Sequence, residues 1–399
     1  MQKVYRRYAA VGFFCLLTGL LLNGCGPVDA HNNEAADATP KPDSIVKITI
    51  RAVGDLMCHA PQFEYARLGT DTFDFRRCYA EVADYLKGAD FTIGNIETVF
   101  AGPTAKYTGY PTFNSPEDYL DAVKEAGFDF LVTANNHSLD RGGNGAFKTL
   151  DVLDKYGFDH TGTYRSPADR DSIRIVNVKG ISMAILNYTY GTNGIPIPKD
   201  KPWIINLTDT LLIEKDVLAA RALKPDLVVV SFHWGLEYQH EPCDSQRIQF
   251  EAAAAAGADL ILGSHPHVIQ PVEYYKTATN ASLDTGFVAW SMGNFISNQN
   301  QRYCDAGVII NIELTKNVTK DSIWISDTGY LPTWVFRGQH PKQHIHTILP
   351  AEWYLQDTAY TYILADSKAK MKQAFEDTDK YINLYGKIRR VDLKEAFGE

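Results

Sequence analysis

The sequence predicts an α/β protein built from stacked strand–helix units. Apolar runs of strand character alternate with longer helical stretches along most of the 399 residues. A glycine, then alanine or phenylalanine, then aspartate, joins a helix to the next strand at Gly88, Gly127, Gly157 and Gly257. Because glycine ends helices in the left-handed conformation, such short joints are typical of buried strands linked by helices.

Composition and charge indicate a folded protein and argue against one class of partner. Hydrophobic residues make up 45% of the chain and charged residues 22%, the values of an ordinary folded protein. The net charge of −9 argues against a nucleic-acid partner, because general nucleic-acid binding needs a basic face.

Residues 1–24 predict an export signal. Three basic residues precede the apolar run 9–22, which is short for a membrane span. The run ends in Leu-Asn-Gly-Cys at 22–25, which resembles a bacterial lipobox and implies lipid attachment to Cys25. The protein would then be anchored to the bacterial cell envelope, facing outside the cytoplasm. A simple secretory signal peptide and an uncleaved anchor are the alternatives.

The rest of the chain divides into three predicted segments. Residues 25–45 are small, polar and proline-containing, which favours a flexible tether. The main domain is predicted at 46–350. A C-terminal helical extension is predicted at 351–399, where apolar side chains recur at helical spacing.

Four cysteines remain in the predicted domain: Cys58, Cys78, Cys243 and Cys304. An exported protein permits disulfides, so a bridge between Cys243 and Cys304 and four free thiols are both open. None of the four has the spacing of a cysteine-based zinc site.

Polar side chains follow most of the predicted strands. Any single one would be explained as a helix cap, but six strand ends carry them. In an α/β sheet these ends open onto one crevice, where ligands bind. The residues are Asp55, Asn95, Glu97, Asn136, His137, His233, His265, His267 and Asn294.

This donor set predicts a divalent metal site. Carboxylate and amide oxygens mixed with imidazoles suit Mn, Zn, Fe or Co. The number of donors allows one or two ions, and two would clamp the attacking and leaving oxygens of a hydrolysis. His137 is a candidate acid for the leaving group. Asp140, three residues on, would either orient His137 or cap the next helix.

Six motifs in order across residues 48–300 carry a family resemblance. They are Gly54-Asp55, Asn95-x-Glu97, Asn135-Asn136-His137-x-x-Asp140, His233-Trp234-Gly235-x-Glu237-Tyr238, Gly263-x-His265-Pro266-His267 and Ser291-x-Gly293-Asn294-Phe295. Together they closely resemble the poly-γ-glutamate capsule-synthesis (CapA-type) family, which is similar to calcineurin-like metallophosphoesterases. The resemblance implies a two-sheet sandwich flanked by helices (α/β/β/α) with a dinuclear metal site.

The resemblance also implies residue roles. The implied ligands are Asp55, Asn136, His233, His265 and His267, with Glu97 or Asn95 at the bridging position, and His137 falls at the superfamily's catalytic histidine. One departure is Met57, which stands where the superfamily has a histidine ligand, although His59 is nearby as a substitute. A site with one ion, or one that binds without turnover, therefore stays open.

The predicted function is an envelope-anchored, metal-dependent hydrolase acting in poly-γ-glutamate capsule synthesis or processing. Its substrate would be an anionic polymer or a small phosphoester, and a membrane polyglutamate synthase is an expected partner. The alternative is a non-catalytic lipoprotein that binds or guides polymer for that synthase. A substrate rim is predicted at Tyr107, Tyr110, Phe113, Glu237 and Asn294. A second histidine-rich stretch, with His340, His344 and His346, has no carboxylate nearby in sequence and is predicted not to bind metal.

Overall fold

The structure is a computed structural model that describes residues 43–340, 343–355 and 363–398. The predicted signal peptide, the lipidation site at Cys25 and most of the tether lie outside the described residues, as does the side chain of His340. Within the described part of the chain, each helix is too short or too polar to span a membrane.

The described residues form fifteen strands and ten α-helices. The strands are β1 (Ile45–Leu56), β2 (Phe91–Ile96), β3 (Phe130–Val132), β4 (Asp159–Thr161), β5 (Arg174–Val178), β6 (Ile181–Thr189), β7 (Leu227–His233), β8 (Leu260–Ser264), β9 (Val272–Lys276), β10 (Thr285–Ala289), β11 (Asn294–Ile296), β12 (Ala306–Asn317), β13 (Ser322–His340), β14 (Gln343–Pro350) and β15 (Arg389–Arg390). The helices are α1 (Ala60–Ala66), α2 (Arg76–Tyr79), α3 (Ala83–Lys87), α4 (Asp118–Glu125), α5 (Gly142–Lys155), α6 (Pro167–Asp171), α7 (Thr210–Ala222), α8 (Asp244–Ala256), α9 (Ala365–Ile382) and α10 (Leu393–Phe397).

The strands form two sheets. The first has nine strands in the order β14-β13-β12-β1-β2-β3-β4, with β11 beside β1 and β15 beside β13. The second has six strands in the order β5-β6-β7-β8-β10-β9. The strands β1 to β4 run parallel, as do β6, β7, β8 and β10. The carboxyl ends of the parallel strands in each sheet therefore lie along one edge of that sheet.

Apolar side chains on both faces of each sheet are buried against a neighbouring layer. Between the sheets, Ile50 and Phe91 of the first belong to one buried cluster with Ile185 and Leu262 of the second. On the outer face of the first sheet, residues of α4 and α5 form another cluster. On the outer face of the second sheet, α7 and α8 do the same. The predicted α/β/β/α sandwich is confirmed by these four layers, each of which removes apolar surface from water.

Three of the four predicted glycine joints have the expected backbone. Gly127, Gly157 and Gly257 have φ of 99°, 69° and 111°. Gly88 is the exception, because it ends α3 with φ of −71° in the right-handed region. Its N–H still donates to the carbonyl of Asp84 at 3.1 Å, so the helix ends there without a left-handed residue.

A close backbone approach positions the first strand end. A Cβ atom at Gly54 would lie 1.9 Å from the carbonyl oxygen of Gly293, so only glycine fits. The N–H of Asp55 donates to that same oxygen at 3.0 Å. In register, Asp55 pairs with Asn294, the first residue of β11.

The C-terminal segment packs on the first sheet. Met371 and Phe375 of α9 lie in one buried cluster with Trp334 and Phe336 of β13. The four cysteines of the described residues are free thiols, so the disulfide considered between Cys243 and Cys304 does not form.

Candidate metal centre

The strand ends of both sheets meet in one buried site. Asn95 of β2, in the first sheet, lies 3.1 Å from the ring of His233, which ends β7 in the second. Seven side chains predicted as ligands come together here, and each is almost fully buried: Asp55, Asn95, Glu97, Asn136, His233, His265 and His267.

The most buried part of the site contains two carboxylates and one imidazole. One ligand atom each of Asp55, Glu97 and His267 lie within 4.8 Å of one another, and we call these three residues the inner group. The Nδ1 of His267 is 3.3 Å from Oδ2 of Asp55, and its Nε2 is 3.9 Å from Oε1 of Glu97. One nitrogen of His267 and one oxygen of each carboxylate are therefore near enough to be candidate ligands of a single ion.

The surroundings of the Glu97 carboxylate indicate whether these residues suit a cation. Both of its carboxylate oxygens are buried without a hydrogen-bond partner. Burial, followed by the charge of Asp55, raises the pKa of Glu97 well above its usual value. Without an ion, this environment favours the protonated carboxyl, whereas a divalent cation would supply the partner that the ionised form needs. The residues therefore fit a metal ion.

Asn95 organises the site through its amide. The Nδ2 atom donates to Oδ1 of Asp55 at 2.7 Å and approaches Nδ1 of His233 at 3.1 Å, while Oδ1 accepts from Asn135 at 3.3 Å. Both ends of the amide are engaged, so Asn95 holds its neighbours in place. Of the two residues considered for the bridging position, Glu97 is the one with uncommitted oxygens.

Burial keeps His233 and His265 neutral. Burial lowers the pKa of His233 well below its usual value and that of His265 to about 3. The Nε2 of His233 lies 2.9 Å from Oδ1 of Asn136 and 3.2 Å from Nδ1 of His265. Neutral imidazole is the form that binds metal ions.

The loop that carries His265 and His267 has an unusual backbone. Both residues have positive φ, 100° and 58°, a conformation that costs a non-glycine residue about 1–3 kcal/mol. The N–H of His265 donates to Asp55 at 3.3 Å, and Nδ1 of His267 lies 3.0 Å from Oδ1 of Asn294. Asn294 is fully buried behind His267, so its prediction as substrate rim is wrong.

His137 and Asp140 form a buried pair beside the inner group. The Nδ1 of His137 lies 2.7 Å from Oδ2 of Asp140, which also accepts the N–H of Phe113 at 2.6 Å. The alternative role of Asp140 as helix cap is wrong, because Arg141 occupies the position before α5. The carboxylate of Asp140 accepts the backbone N–H of Phe113, from a distant loop, and not an N–H of α5.

A cavity of about 330 Å³ opens beside these residues. Its walls are Met57, His59, Tyr110, His137, Glu237, Tyr238, His267, Asn298 and Gln299.

Two of the predicted rim residues line this cavity. Tyr110 is 74% exposed and Glu237 is also exposed. The other two residues of the aromatic loop are not at the rim, because the loop folds back onto the body. Phe113 is fully buried and its ring meets that of His137 edge-on at 4.6 Å. Tyr107 packs against Phe73 in the core.

His59, considered as a substitute for the histidine missing at Met57, belongs to neither group of candidate ligands found among the described residues. Its Nδ1 accepts the backbone N–H of Asn298 at 3.2 Å. Burial lowers the pKa of His59 to about 4. Met57 is itself buried and lines the cavity.

Sequence reasoning missed two neighbours of the site. Asn193 lies 3.4 Å from Nε2 of His137 and accepts from Asn136 at 3.2 Å. The ring of Tyr190 lies 4.4 Å from that of His265. Tyr190 follows the end of β6, so the strand-end pattern would have found it, whereas Asn193 lies in a turn with no such signal.

The second histidine-rich stretch is structural in the described residues. His344 and His346 both lie against the ring of Tyr65, at 5.0 and 5.3 Å between centroids. The Nε2 of His346 is 2.9 Å from Oδ1 of Asn298. Neither histidine joins a candidate metal group of the described residues.

Residues 49–299, more than half of the chain, match the family model described as bacterial capsule synthesis protein PGA_cap. The chain belongs to this family. It is 33% identical over 282 residues to the capsule biosynthesis protein CapA of Bacillus anthracis, which covers 68% of this chain and 65% of that protein. It is 28% identical over 275 residues to the PGA biosynthesis protein CapA of Bacillus subtilis, over 67% of this chain and 68% of that protein.

Among solved structures, the PGA_cap chain is similar to the NAD nucleotidase of Haemophilus influenzae. The identity is 11% and the TM-score 0.45, over 85% of this chain and 57% of that one. A phosphatase from Mycoplasma pneumoniae is 14% identical with a TM-score of 0.40, over 72% of this chain and 94% of that one.

Proposed function

We propose that this PGA_cap protein is an envelope-anchored, metal-dependent hydrolase that acts in the synthesis or processing of a capsule polymer. Its substrate would be poly-γ-glutamate or a small phosphoester. The proposal rests above all on Glu97, whose two oxygens are buried without a hydrogen-bond partner between Asp55, His233 and His267.

The residues that would hold the ion surround Glu97. Besides the inner group, His233 approaches Oε1 of Glu97 at 3.7 Å, and Asn136 and His265 contact His233. When bound here, a divalent ion polarises a carbonyl or phosphoryl oxygen and activates water as a nucleophile. Asn95 and Asn294 orient Asp55 and His267 from behind.

His137 would deliver the proton that the leaving group needs. Its Nδ1–H donates to Asp140, which leaves Nε2 as the exchangeable nitrogen on the wall of the cavity. A proton carried on Nε2 passes to the oxygen or nitrogen of the leaving group, and Asp140 stabilises the imidazolium before transfer. Phe113 limits the tilt of the ring by packing against it.

The double variant H265A/H267A tests the hydrolase. Wild-type protein, freed of metal and then given MnCl₂ or ZnCl₂, should hydrolyse p-nitrophenyl phosphate, its diester or poly-γ-glutamate. The variant should lose at least about 100-fold in rate, because altering even the partners of metal ligands costs about 10- to 100-fold. Initial rates and elemental analysis of the dialysed proteins give the comparison.

H344A, which removes a histidine outside the site, is the matched control and should keep both metal and activity. If the wild-type protein retains metal yet cleaves none of these substrates, the proposed hydrolase activity is contradicted. That outcome would favour the second candidate function, a polymer-binding role beside a membrane polyglutamate synthase. The observation behind the second candidate is Met57, a poor ligand for a hard ion at the edge of the inner group.

The anchoring part of the proposal has its own test. Replacing Cys25 with serine removes the sulfur to which lipid would attach. The C25S protein should move from the membrane fraction to the soluble fraction of cells, whereas C243S, which changes a partly exposed thiol of the domain, should not. Equal membrane retention of C25S and wild type after a carbonate wash would argue against lipidation at Cys25.

A further inference from the structure

We propose that Asn298 and Gln299 form a subsite that binds uncharged carbonyl oxygens of an amide-linked substrate through their side-chain NH₂ groups. We call these two residues the amide pair. Both are partly exposed and line the cavity together with His137 and His267. The inference rests on the proposed function and deepens it, because it names the part of a substrate that the cavity wall beside the metal centre holds.

The side-chain oxygen of Gln299 is already occupied. It accepts a hydrogen bond from Nδ2 of Asn294 at 2.8 Å. The same Nδ2 donates to the backbone carbonyl of Cys304 at 2.9 Å. Because a carbonyl oxygen only accepts, the contact with Cys304 determines which end of the Asn294 amide is the nitrogen. The NH₂ group is therefore the end of the Gln299 amide that stays available.

The side-chain oxygen of Asn298 is occupied in the same way. It lies 2.9 Å from Nε2 of His346, which must carry the proton because an amide oxygen has none to donate. In the part of the chain that the structure describes, neither NH₂ group of the amide pair donates to another protein group. His346, from the second histidine-rich stretch, is thus a positioning residue for Asn298, and the donors of the pair remain for a molecule in the cavity.

The backbone of the amide pair is also held. The N–H of Asn298 donates to Nδ1 of His59 at 3.2 Å, and that of Gln299 donates to Oγ of Ser297 at 3.1 Å. The carbonyl of Gln299 accepts from Nη1 of Arg337 at 2.6 Å. Donors that the protein already holds in place lose little conformational freedom when a ligand binds, which favours their use in recognition.

The charge of the cavity favours an uncharged ligand oxygen. Among the described residues that form its walls there is no lysine or arginine, the residue types that usually bind phosphate and carboxylate groups. The walls do contain the carboxylate of Glu237, which has an oxygen within 4.8 Å of ring nitrogens of His265 and His267. The pKa of Tyr238 is raised by burial and then by this carboxylate. An anionic group would meet the charge of Glu237, whereas a carbonyl oxygen accepts hydrogen bonds without carrying charge.

The amide pair therefore distinguishes between the two substrate classes of the proposed function. A chain of amide-linked units presents carbonyl oxygens on either side of the bond that would lie at the metal centre. The oxygens of a small phosphoester are anionic and would be held by the ion itself. Uncharged donors on the cavity wall suit the first class, because they can bind a carbonyl of a neighbouring unit.

The test uses a short γ-linked glutamate oligomer, acetylated at its amine, and its full methyl ester, in which the amide carbonyls remain and every carboxylate is neutralised. Full-length wild type, N298D, Q299E and N300D, each supplied with MnCl₂, are titrated with both probes by calorimetry. N298D and Q299E keep the oxygen that accepts from His346 or Asn294 and replace the NH₂ group with a second oxygen. N300D, the matched control, adds the same charge at an exposed neighbour outside the cavity walls.

Wild type and N300D should bind both probes. N298D and Q299E should bind the ester at least about 10-fold more weakly, because an acceptor then faces the substrate carbonyl where a donor did. The ester is uncharged, so a loss of its binding does not come from repulsion between like charges. Circular dichroism checks that each variant retains the fold.

Three results would overturn the proposal: N298D and Q299E bind the ester as tightly as N300D, wild type binds the oligomer but not its ester, or wild type binds neither probe. The last two need no variant. Hydrolysis by the same wild-type preparation tests the proposed function separately. Cleavage of p-nitrophenyl phosphate without binding of the ester leaves the hydrolase and removes the subsite. Binding of the ester as expected, without cleavage of any substrate, leaves the subsite in a polymer-binding role.

Discussion

Replacing Glu97 with glutamine should abolish ion binding at the inner group without destabilising the metal-free protein. In the metal-free wild type, the carboxylate of Glu97 is buried beside that of Asp55, which disfavours its ionised form. A neutral amide of the same shape carries no charge to repel Asp55, so we expect metal-free E97Q to be at least as stable as the metal-free wild type. Urea unfolding without metal measures this difference.

Adding metal should reverse the order of stability. At an ion concentration about 100 times Kd, the wild type should gain about 2.7 kcal/mol from binding, and E97Q should gain much less. E241Q, with an exposed glutamate changed, should follow the wild type in both conditions. If E97Q retains the same metal content and the same stabilisation as the wild type, the inner group is not a metal centre.

Replacing His137 with asparagine should lower kcat by about 10²- to 10⁴-fold, the usual contribution of a general acid or base. Metal content should not change, because His137 lies outside both candidate ligand groups of the described residues. D140N should have a smaller effect in the same direction, since the oxygen that contacts Nδ1 remains but the charge that stabilises the imidazolium is lost. Rates with the substrate that the wild type cleaves, together with elemental analysis, separate the two roles.

D151N provides the control for D140N, because Asp151 is an exposed carboxylate on α5 that pairs with Arg165. It should leave kcat unchanged. A metal-loaded H137N protein with wild-type kcat would show that the leaving group takes its proton from elsewhere, and the His137–Asp140 pair would then be structural. A rise in KM with constant kcat would instead place His137 in substrate binding.

Local patterns predicted most of the architecture. The alternation of apolar strands and helices, with glycine joints, was enough for the α/β class, and the motif resemblance added the second sheet. The strand-end rule brought forward Asp55, Glu97, His233 and His265, which the structure places together. This rule works because parallel strands direct their carboxyl ends to one edge whatever the order of the strands in the sheet.

Predictions that depended on what a loop touches were less successful. Tyr107 and Phe113 were expected at a rim because aromatic loops often bind ligands, yet their apolar rings are more stable packed in the core. The role of Asp140 depended on the N–H of Phe113, 27 residues earlier in the chain. Spacing along the sequence carries no information about a partner that arrives from another loop.

By itself, the sequence determined which chemical groups this protein presents at its strand ends and the α/β order that gathers them. Only the tertiary structure decided which of these groups are satisfied by neighbours and which are not. Asn95 and Asn294 are committed to hydrogen bonds, whereas the oxygens of Glu97 have no hydrogen-bond partner and Glu237 faces two imidazoles. The physical reason is that burial and pairing depend on contacts between residues far apart in the chain, which local spacing does not encode.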